Sequence, residues 1–139
     1  MVEAQVFLRA AKTYFAFLVS EFAFAELSET VRSVVFYELQ YRNAAQVVSI
    51  SFENLEDYLQ ITVFQLVNQQ LPDYNDSHHT YHLHTLNHAL SKLVGPDDWQ
   101  ENQRFFEEFK PEGTVERRLL KAAKELRVCL THFDRLTAA

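Results

Sequence analysis

The chain has 139 residues, a formal net charge of −6 at pH 7, 47% hydrophobic residues and 14% aromatic residues. This length and apolar content exclude a disordered chain and predict one domain, residues 1–139, with its own hydrophobic core. No apolar run approaches the roughly 20 residues of a membrane span, and the first residues lack the layout of a signal peptide. Cys129 is the single cysteine, so we expect a cytoplasmic protein without disulfides and without a membrane partner.

The N-terminal segment predicts a helix over residues 2–20, because apolar residues recur there at spacings of three and four. Phe22, Phe24 and Leu27 follow at shorter spacing and fit either a short extra strand or the apolar end of the helix. The polar residues 28–32 are expected to connect this helix to a sheet.

Residues 33–67 carry the strongest β pattern in the chain. The segment begins with a β-branched and aromatic run, Val34 to Tyr37. Two stretches with alternating apolar residues follow, the first with Val48, Ile50 and Phe52 and the second with Leu59, Ile61 and Val63. Successive side chains of a strand leave opposite faces, so this period of two predicts strands. Arg42-Asn43 and Asn54-Leu55-Glu56 suit tight turns, and the segment therefore predicts three successive antiparallel strands.

The second half of the chain predicts helices. A loop-like stretch at 68–77 precedes a predicted helix over 78–94, which Gly95 and Pro96 are expected to end. Asp97 is expected to cap a shorter helix ending near Phe109. The predicted fold is α+β, a three- to four-stranded antiparallel meander packed by an N-terminal helix and a C-terminal group of about three helices.

The last helix, which is expected to begin with Thr114 as its cap, has the most regular apolar pattern. Its apolar residues alternate spacings of four and three, namely Val115, Leu119, Ala122, Leu126, Cys129, Phe133 and Leu136. This stripe fits a helix laid across the sheet, with Cys129 as an inert core thiol. It also fits a coiled seam between copies of the chain, which would make a homodimer or a structural assembly.

The opposite face of the last helix is basic, and its charged residues are Arg117, Lys121, Lys124 and Arg135. They fit a solvated face or a ridge that contacts phosphates. Because the rest of the chain is acidic and few aromatic residues lie among these bases, we expect no nucleic-acid partner.

Five of the six histidines fall between His78 and His88. On a continuous helix, His78 and His82 form one i, i+4 pair and His84 and His88 form another, a spacing at which two imidazoles can share a metal. His84 and His88 are expected to face solvent and are the weak metal candidates, since the segment itself supplies no third ligand. An ordinary surface and a pH-sensitive or partner-binding surface remain open alternatives.

Acidic residues concentrate in the predicted connections, where a negatively charged surface would attract a basic protein and speed its association. The candidate partner-binding residues are Glu53, Glu56, Asp57, Asp73, Asp76, His84 and His88. A solvated surface is the alternative interpretation of the same residues.

Several chemistries are excluded by what the sequence lacks. With two glycines in total, neither in a strand-to-helix turn of the required form, P-loop and Rossmann phosphate sites do not fit. Gly-x-Ser-x-Gly and His-Glu-x-x-His are absent. We therefore expect no cofactor and identify no catalytic residue, which leaves open whether the protein is an enzyme and favours a non-enzymatic one.

The layout resembles that of small bacterial α+β immunity proteins found beside polymorphic toxins. The likeness covers the aromatic stretch Phe22-Ala23-Phe24, the strand sequences Val34 to Tyr37 and Val48 to Phe52, and the helices that follow. It implies a cytoplasmic protein that binds and blocks a cognate toxin, with a basic toxin domain as the expected partner. The alternatives are a small His-dependent metal-binding protein or enzyme and a homo-oligomeric structural subunit.

Overall fold

The computed structural model describes residues 1–137, so the last two positions of the predicted domain lie outside the described residues. The described chain is α+β, with a five-stranded antiparallel sheet in the order β1-β2-β3-β4-β5. The strands are β1 (Ala25–Arg32), β2 (Phe36–Arg42), β3 (Gln46–Glu53), β4 (Tyr58–Gln65) and β5 (Thr80–His82). The helices are α1 (Ala4–Tyr14), α2 (Phe17–Phe22), α3 (Leu83–Leu90), α4 (Pro96–Phe105), α5 (Thr114–Thr131) and the single turn α6 (Phe133–Leu136).

The alternation in residues 33–67 does form the centre of the sheet, in the register that its apolar residues dictate. Leu39 lies opposite Ile50, and Ile50 lies opposite Ile61. These side chains are buried on one face, where the helices pack against them in a single core. The other face, which we call the open face, carries the polar residues of the same strands.

The sheet has two more strands than the three that the central pattern predicted. Residues 28–32, predicted as a connection, belong to β1, an edge strand whose side chains are mostly exposed. Such a strand shows no apolar alternation because neither of its faces is buried. Glu26 and Glu29 lie on its helix-facing side and pair with Lys12 of α1, and inward charges of this kind protect a sheet edge from pairing with another chain.

The helix predicted over 78–94 is shorter, because Thr80–His82 instead pairs with β4 as β5. Helix α3 starts at Leu83 with the backbone of His82 as its N-cap. His78 and His82 are therefore not an i, i+4 pair on a helix, and that prediction is wrong. Gly95, expected to end this helix, is the N-cap of α4, so Asp97 lies within the first turn of that helix.

The predicted N-terminal helix is divided into α1 and α2 around Phe15 and Ala16. Helix α1 covers the sheet through Phe7, whose ring lies 5.7 Å from Phe52 and 5.9 Å from Tyr37. Aromatic pairs at these separations add stabilisation beyond their buried area.

Helix α5 buries the first five residues of the predicted apolar stripe inside the chain, while the last two, Phe133 and Leu136, belong to α6, where Phe133 is buried and Leu136 half-buried. Leu119, Leu126 and Cys129 are fully buried, and the helix packs against α1, α3 and α4 and touches the sheet at β4. The helix begins after Gly113, and a break at His132 separates α6. Because this stripe already packs against other elements of the same chain, self-association through it would require the helical layer to open.

Within residues 1–137, none of the helices is both long enough and apolar enough to cross a membrane.

Candidate functional sites

Two neighbouring turns at one end of the sheet are joined by Asn54. Its backbone N–H donates to the Val35 carbonyl at 2.9 Å, and its side-chain amide donates to the Val34 carbonyl and, at 3.1 Å, to the Tyr37 hydroxyl. The same side chain bonds both backbone groups of Val2, each at 3.0 Å. The β1–β2 turn, the β3–β4 turn and the N-terminal segment therefore form one ordered unit.

These turns present apolar and acidic side chains together, and we call this region the hairpin-tip surface. Its members are Val34, Val35, Leu55 and Tyr58, which are 55%, 40%, 72% and 48% exposed, and the acidic residues Glu53, Glu56 and Asp57. An exposed apolar group with a polar rim is a common feature of protein-binding surfaces. The first three predicted acidic residues thus lie beside exposed apolar side chains that the sequence analysis did not assign to a site.

Asp57 is the member of this surface that already has a partner. Its carboxylate accepts a hydrogen bond of 2.9 Å from Arg118 of α5, which also bonds the Asp57 carbonyl at 3.0 Å. Asp57 and Ser33 have φ values of 50° and 53°, a left-handed conformation that is uncommon outside glycine. Because Arg118 neutralises Asp57, the negative charge available to a partner on this surface is that of Glu53 and Glu56.

Asp73 and Asp76 belong to the β4–β5 connection, which starts and finishes beside the end of β4 opposite to the hairpin-tip surface. Strand β4 has eight residues, and at about 3.3 Å per residue its ends lie roughly 23 Å apart. Asp76 accepts a 2.7 Å hydrogen bond from His79, and this bond is the main cause that lowers the pKa of Asp76. The predicted acidic residues thus form two separate groups.

His84 and His88 lie on a third surface, a groove of about 460 Å³ between α3 and α5. Both side chains are exposed, as predicted, and α5 adds Lys121 and Glu125 to the groove. Glu125 bonds the Asn87 amide, and burial raises the pKa of its carboxyl group. Sequence reasoning missed Glu125 because it lies 37 residues beyond His88 and only the packing of α3 on α5 brings them together.

No three His, Cys, Asp or Glu side chains among residues 1–137 are arranged to hold a metal ion. Glu125 supplies the groove with the kind of carboxylate that the histidine segment lacks, but it is bonded to the Asn87 amide and does not form a metal-ligand set with His84 and His88.

The open face of the sheet carries a polar row that crosses all five strands. Register partners connect Ser28, Gln40, Ser49, Thr62 and His82 in that order. Ser49 and Thr62 are only 5% and 3% exposed although they lie on this face, because longer neighbouring side chains cover them.

Two hydrogen-bond networks follow this row. On one side, Glu38 accepts from Ser49 at 2.6 Å and from Gln40 at 3.2 Å. On the other, His82 Nδ1 lies 3.2 Å from Gln60 Nε2 and 3.3 Å from Thr62 Oγ1. Neither Glu38 nor His82 was predicted to lie on this face, although the alternation of β2 places Glu38 there.

Comparisons of the chain with protein-family models, curated protein sequences and solved structures found no significant match.

Proposed function

We propose that this protein is a non-enzymatic binding module that recognises another protein through the hairpin-tip surface. The observation that supports the proposal is the group of four exposed apolar side chains, which includes Leu55 and Tyr58, beside Glu53 and Glu56. An apolar centre provides binding free energy once water is excluded, and acidic neighbours favour a basic partner.

The order of the two turns adds to this argument. Asn54 fixes both turns and the N-terminal segment through its amide group, so binding would order few additional groups. Association weakens when loops and side chains must be immobilised, and a pre-organised surface reduces that loss. An immunity-type inhibitor of a toxin fits this description, since it must hold its target stoichiometrically.

The test compares partner capture by the wild type with capture by a double variant, Leu55→Ser with Tyr58→Ser. We expect one stoichiometric basic protein from native extract to bind the wild type and to lose at least about tenfold in affinity with the variant, as for truncation of central interface residues. Val19→Ser, at a similarly exposed position of α2, is the matched control. The proposal is wrong if no stoichiometric partner binds, or if both variants bind it equally.

The inhibitor role has its own test, based on genes encoded beside this one. If a neighbouring gene encodes a toxin domain, co-expression of the wild type should restore growth, whereas co-expression of the Leu55 and Tyr58 double variant should not. Binding without rescue would leave a protein-binding module that is not an immunity protein.

A second candidate function is a His-dependent site in the α3–α5 groove. The observation that favours it is the half-buried Glu125 carboxyl, with its raised pKa, in the same groove as His84, His88 and Lys121. A carboxyl group whose pKa lies closer to neutrality suits proton transfer. We expect His84→Gln with His88→Gln to remove any rise in melting temperature that Zn²⁺ causes, with His78→Gln as the control. An untagged protein that carries no metal and melts identically with Zn²⁺ or chelator would remove the metal-binding form of this candidate.

A further inference from the structure

Arg118 of α5 connects the helical layer to the β3–β4 turn of the hairpin-tip surface. Its Nη1 donates to the Asp57 carboxylate at 2.9 Å, and its Nη2 donates to the Asp57 backbone carbonyl at 3.0 Å. Two bonds from one planar guanidinium group fix the direction of the contact as well as its length. Arg118 therefore holds both the side chain and the backbone of one turn residue.

The hydrophobic core in turn holds Arg118. Its guanidinium carbon lies 5.7 Å from the centroid of the Phe52 ring, and the buried Phe52 packs against Phe7 of α1. An ion pair between two free surface side chains contributes little, because both side chains must first be ordered. The Arg118 side chain is only 33% exposed, and its packing on the Phe52 ring reduces this loss on the arginine side.

The turn depends on this contact at Asp57. The residue has a φ of 50°, in the left-handed region that few residues other than glycine adopt and where asparagine and aspartate are enriched. Its backbone N–H reaches the Asn54 carbonyl at 3.3 Å, which is long for such a bond. Asn54 thus fixes the beginning of the turn and Arg118 fixes its far side, with the exposed Leu55 and Glu56 between these two anchors.

We propose that Arg118 is a positioning residue of the hairpin-tip surface. By holding Asp57 in its left-handed conformation, it keeps Leu55, Glu56 and the following Tyr58 in the arrangement that a partner protein recognises. This role rests on the binding function proposed above, and it requires no contact between Arg118 and the partner. It assigns the Asp57 carboxylate to the turn instead of to the partner.

The size of the effect follows from how often the free turn is in its binding conformation. A binding conformation that is only partly populated lowers the apparent affinity by that fraction. The Asp57 side chain is 77% exposed, and an exposed ion pair shifts such an equilibrium by up to about fivefold. We therefore expect release of Asp57 to slow association by a factor of up to about five. Dissociation should be unchanged, because the bound partner itself holds the turn.

The test uses variants that preserve charge, so that long-range attraction to a basic partner stays the same. Arg118→Lys keeps the positive charge and the apolar stem over Phe52 but loses the two parallel donors of the guanidinium group. Arg117→Lys, at the exposed neighbouring position of α5, is the matched control. Nitrogen-15 relaxation measures the order of the Leu55 and Glu56 amides, thermal unfolding measures the stability of the chain, and binding kinetics are measured with the partner that the wild type captures.

We expect Arg118→Lys to lower the order parameters of the turn and to slow association, while the melting temperature changes little. Arg117→Lys should match the wild type in all three measurements. Asp57→Asn retains a side-chain oxygen for Arg118 and tolerates the left-handed conformation, so it should bind nearly as well as the wild type. If the partner contacted the Asp57 charge directly, this variant would instead lose affinity.

The positioning role is contradicted if Arg118→Lys leaves the order of the turn unchanged, or lowers the order without slowing association. A loss confined to the dissociation rate would also contradict it, since that would indicate a direct contact between Arg118 and the partner. So would Asp57→Asn binding as weakly as the Leu55→Ser with Tyr58→Ser double variant. If only that double variant binds weakly, the proposed function stands without this role. If the wild type captures no stoichiometric partner, the proposed function fails and this role fails with it.

Discussion

Asn54 is the residue at which separate parts of the chain meet. Its amide group bonds Val2 of the N-terminal segment, Val34 of the β1–β2 turn and Tyr37 of β2. The Tyr37 ring is fully buried, and its hydroxyl donates to the Val2 carbonyl at 2.8 Å. The Asn54 side chain thus bonds backbone groups of Val2 and Val34 that lie outside the strands. The order of the N-terminal segment and of the β1–β2 turn depends on these bonds.

We expect Asn54→Ala to lower the free energy of unfolding by about 1–3 kcal/mol, because it leaves the Val2 N–H without its acceptor and the Val34 carbonyl and Tyr37 hydroxyl without their donor. Asn54→Asp should be at least as damaging, since a carboxylate of the same shape faces the Val2 and Val34 carbonyls with oxygen in place of N–H. Urea unfolding measures both. Asn75→Ala, at an exposed asparagine, should change stability by less than about 0.5 kcal/mol. Equal effects at Asn54 and Asn75 would contradict this role.

Strands and helices differ in how far the sequence alone could place them, and burial explains the difference. Strands β3 and β4 were predictable because residues such as Ile50 and Ile61 alternate between a buried and an open face. Strand β1 was predicted only as one alternative, a short strand around Leu27, because it is an edge with both faces largely exposed. Strand β5 was missed because its three residues become a strand only by pairing with β4. The apolar stripe of α5 was confirmed, since a helix surrounded by three others must bury it.

For the candidate sites too, local sequence patterns revealed the turns but not which residues the fold exposes or brings together. Acidic residues such as Glu56 were visible in sequence because polar residues mark turns. Val34 and Val35 were predicted to begin a strand, but β2 starts at Phe36, and they lie exposed in the turn beside Leu55. No local pattern distinguishes an apolar residue in a turn from one at a strand start. The groove partner Glu125 depended on the packing of two helices, which a single sequence does not report.

At the scale of the whole molecule, the helices and the sheet share one core, and Cys129 lies in it. The thiol is fully buried, and burial, with the nearby charge of Glu125, raises its pKa to about 12. The thiolate is the reactive form of cysteine, so the native protein should resist thiol reagents at neutral pH. Because α5 contacts α1, α3 and α4, we expect the thiol to become accessible only when the helical layer opens as a whole.

Thiol labelling therefore measures opening of the whole core. We expect the free energy of opening from labelling rates at low denaturant to equal the free energy of unfolding from urea denaturation. Leu126→Ala, a truncation one turn from Cys129 in the same core, should lower both by about 2–5 kcal/mol, so labelling should accelerate by more than tenfold. Leu55→Ala, at an exposed turn position, should leave both unchanged. Labelling that is fast in the native wild type, or insensitive to Leu126→Ala, would mean that the helical layer opens separately from the sheet.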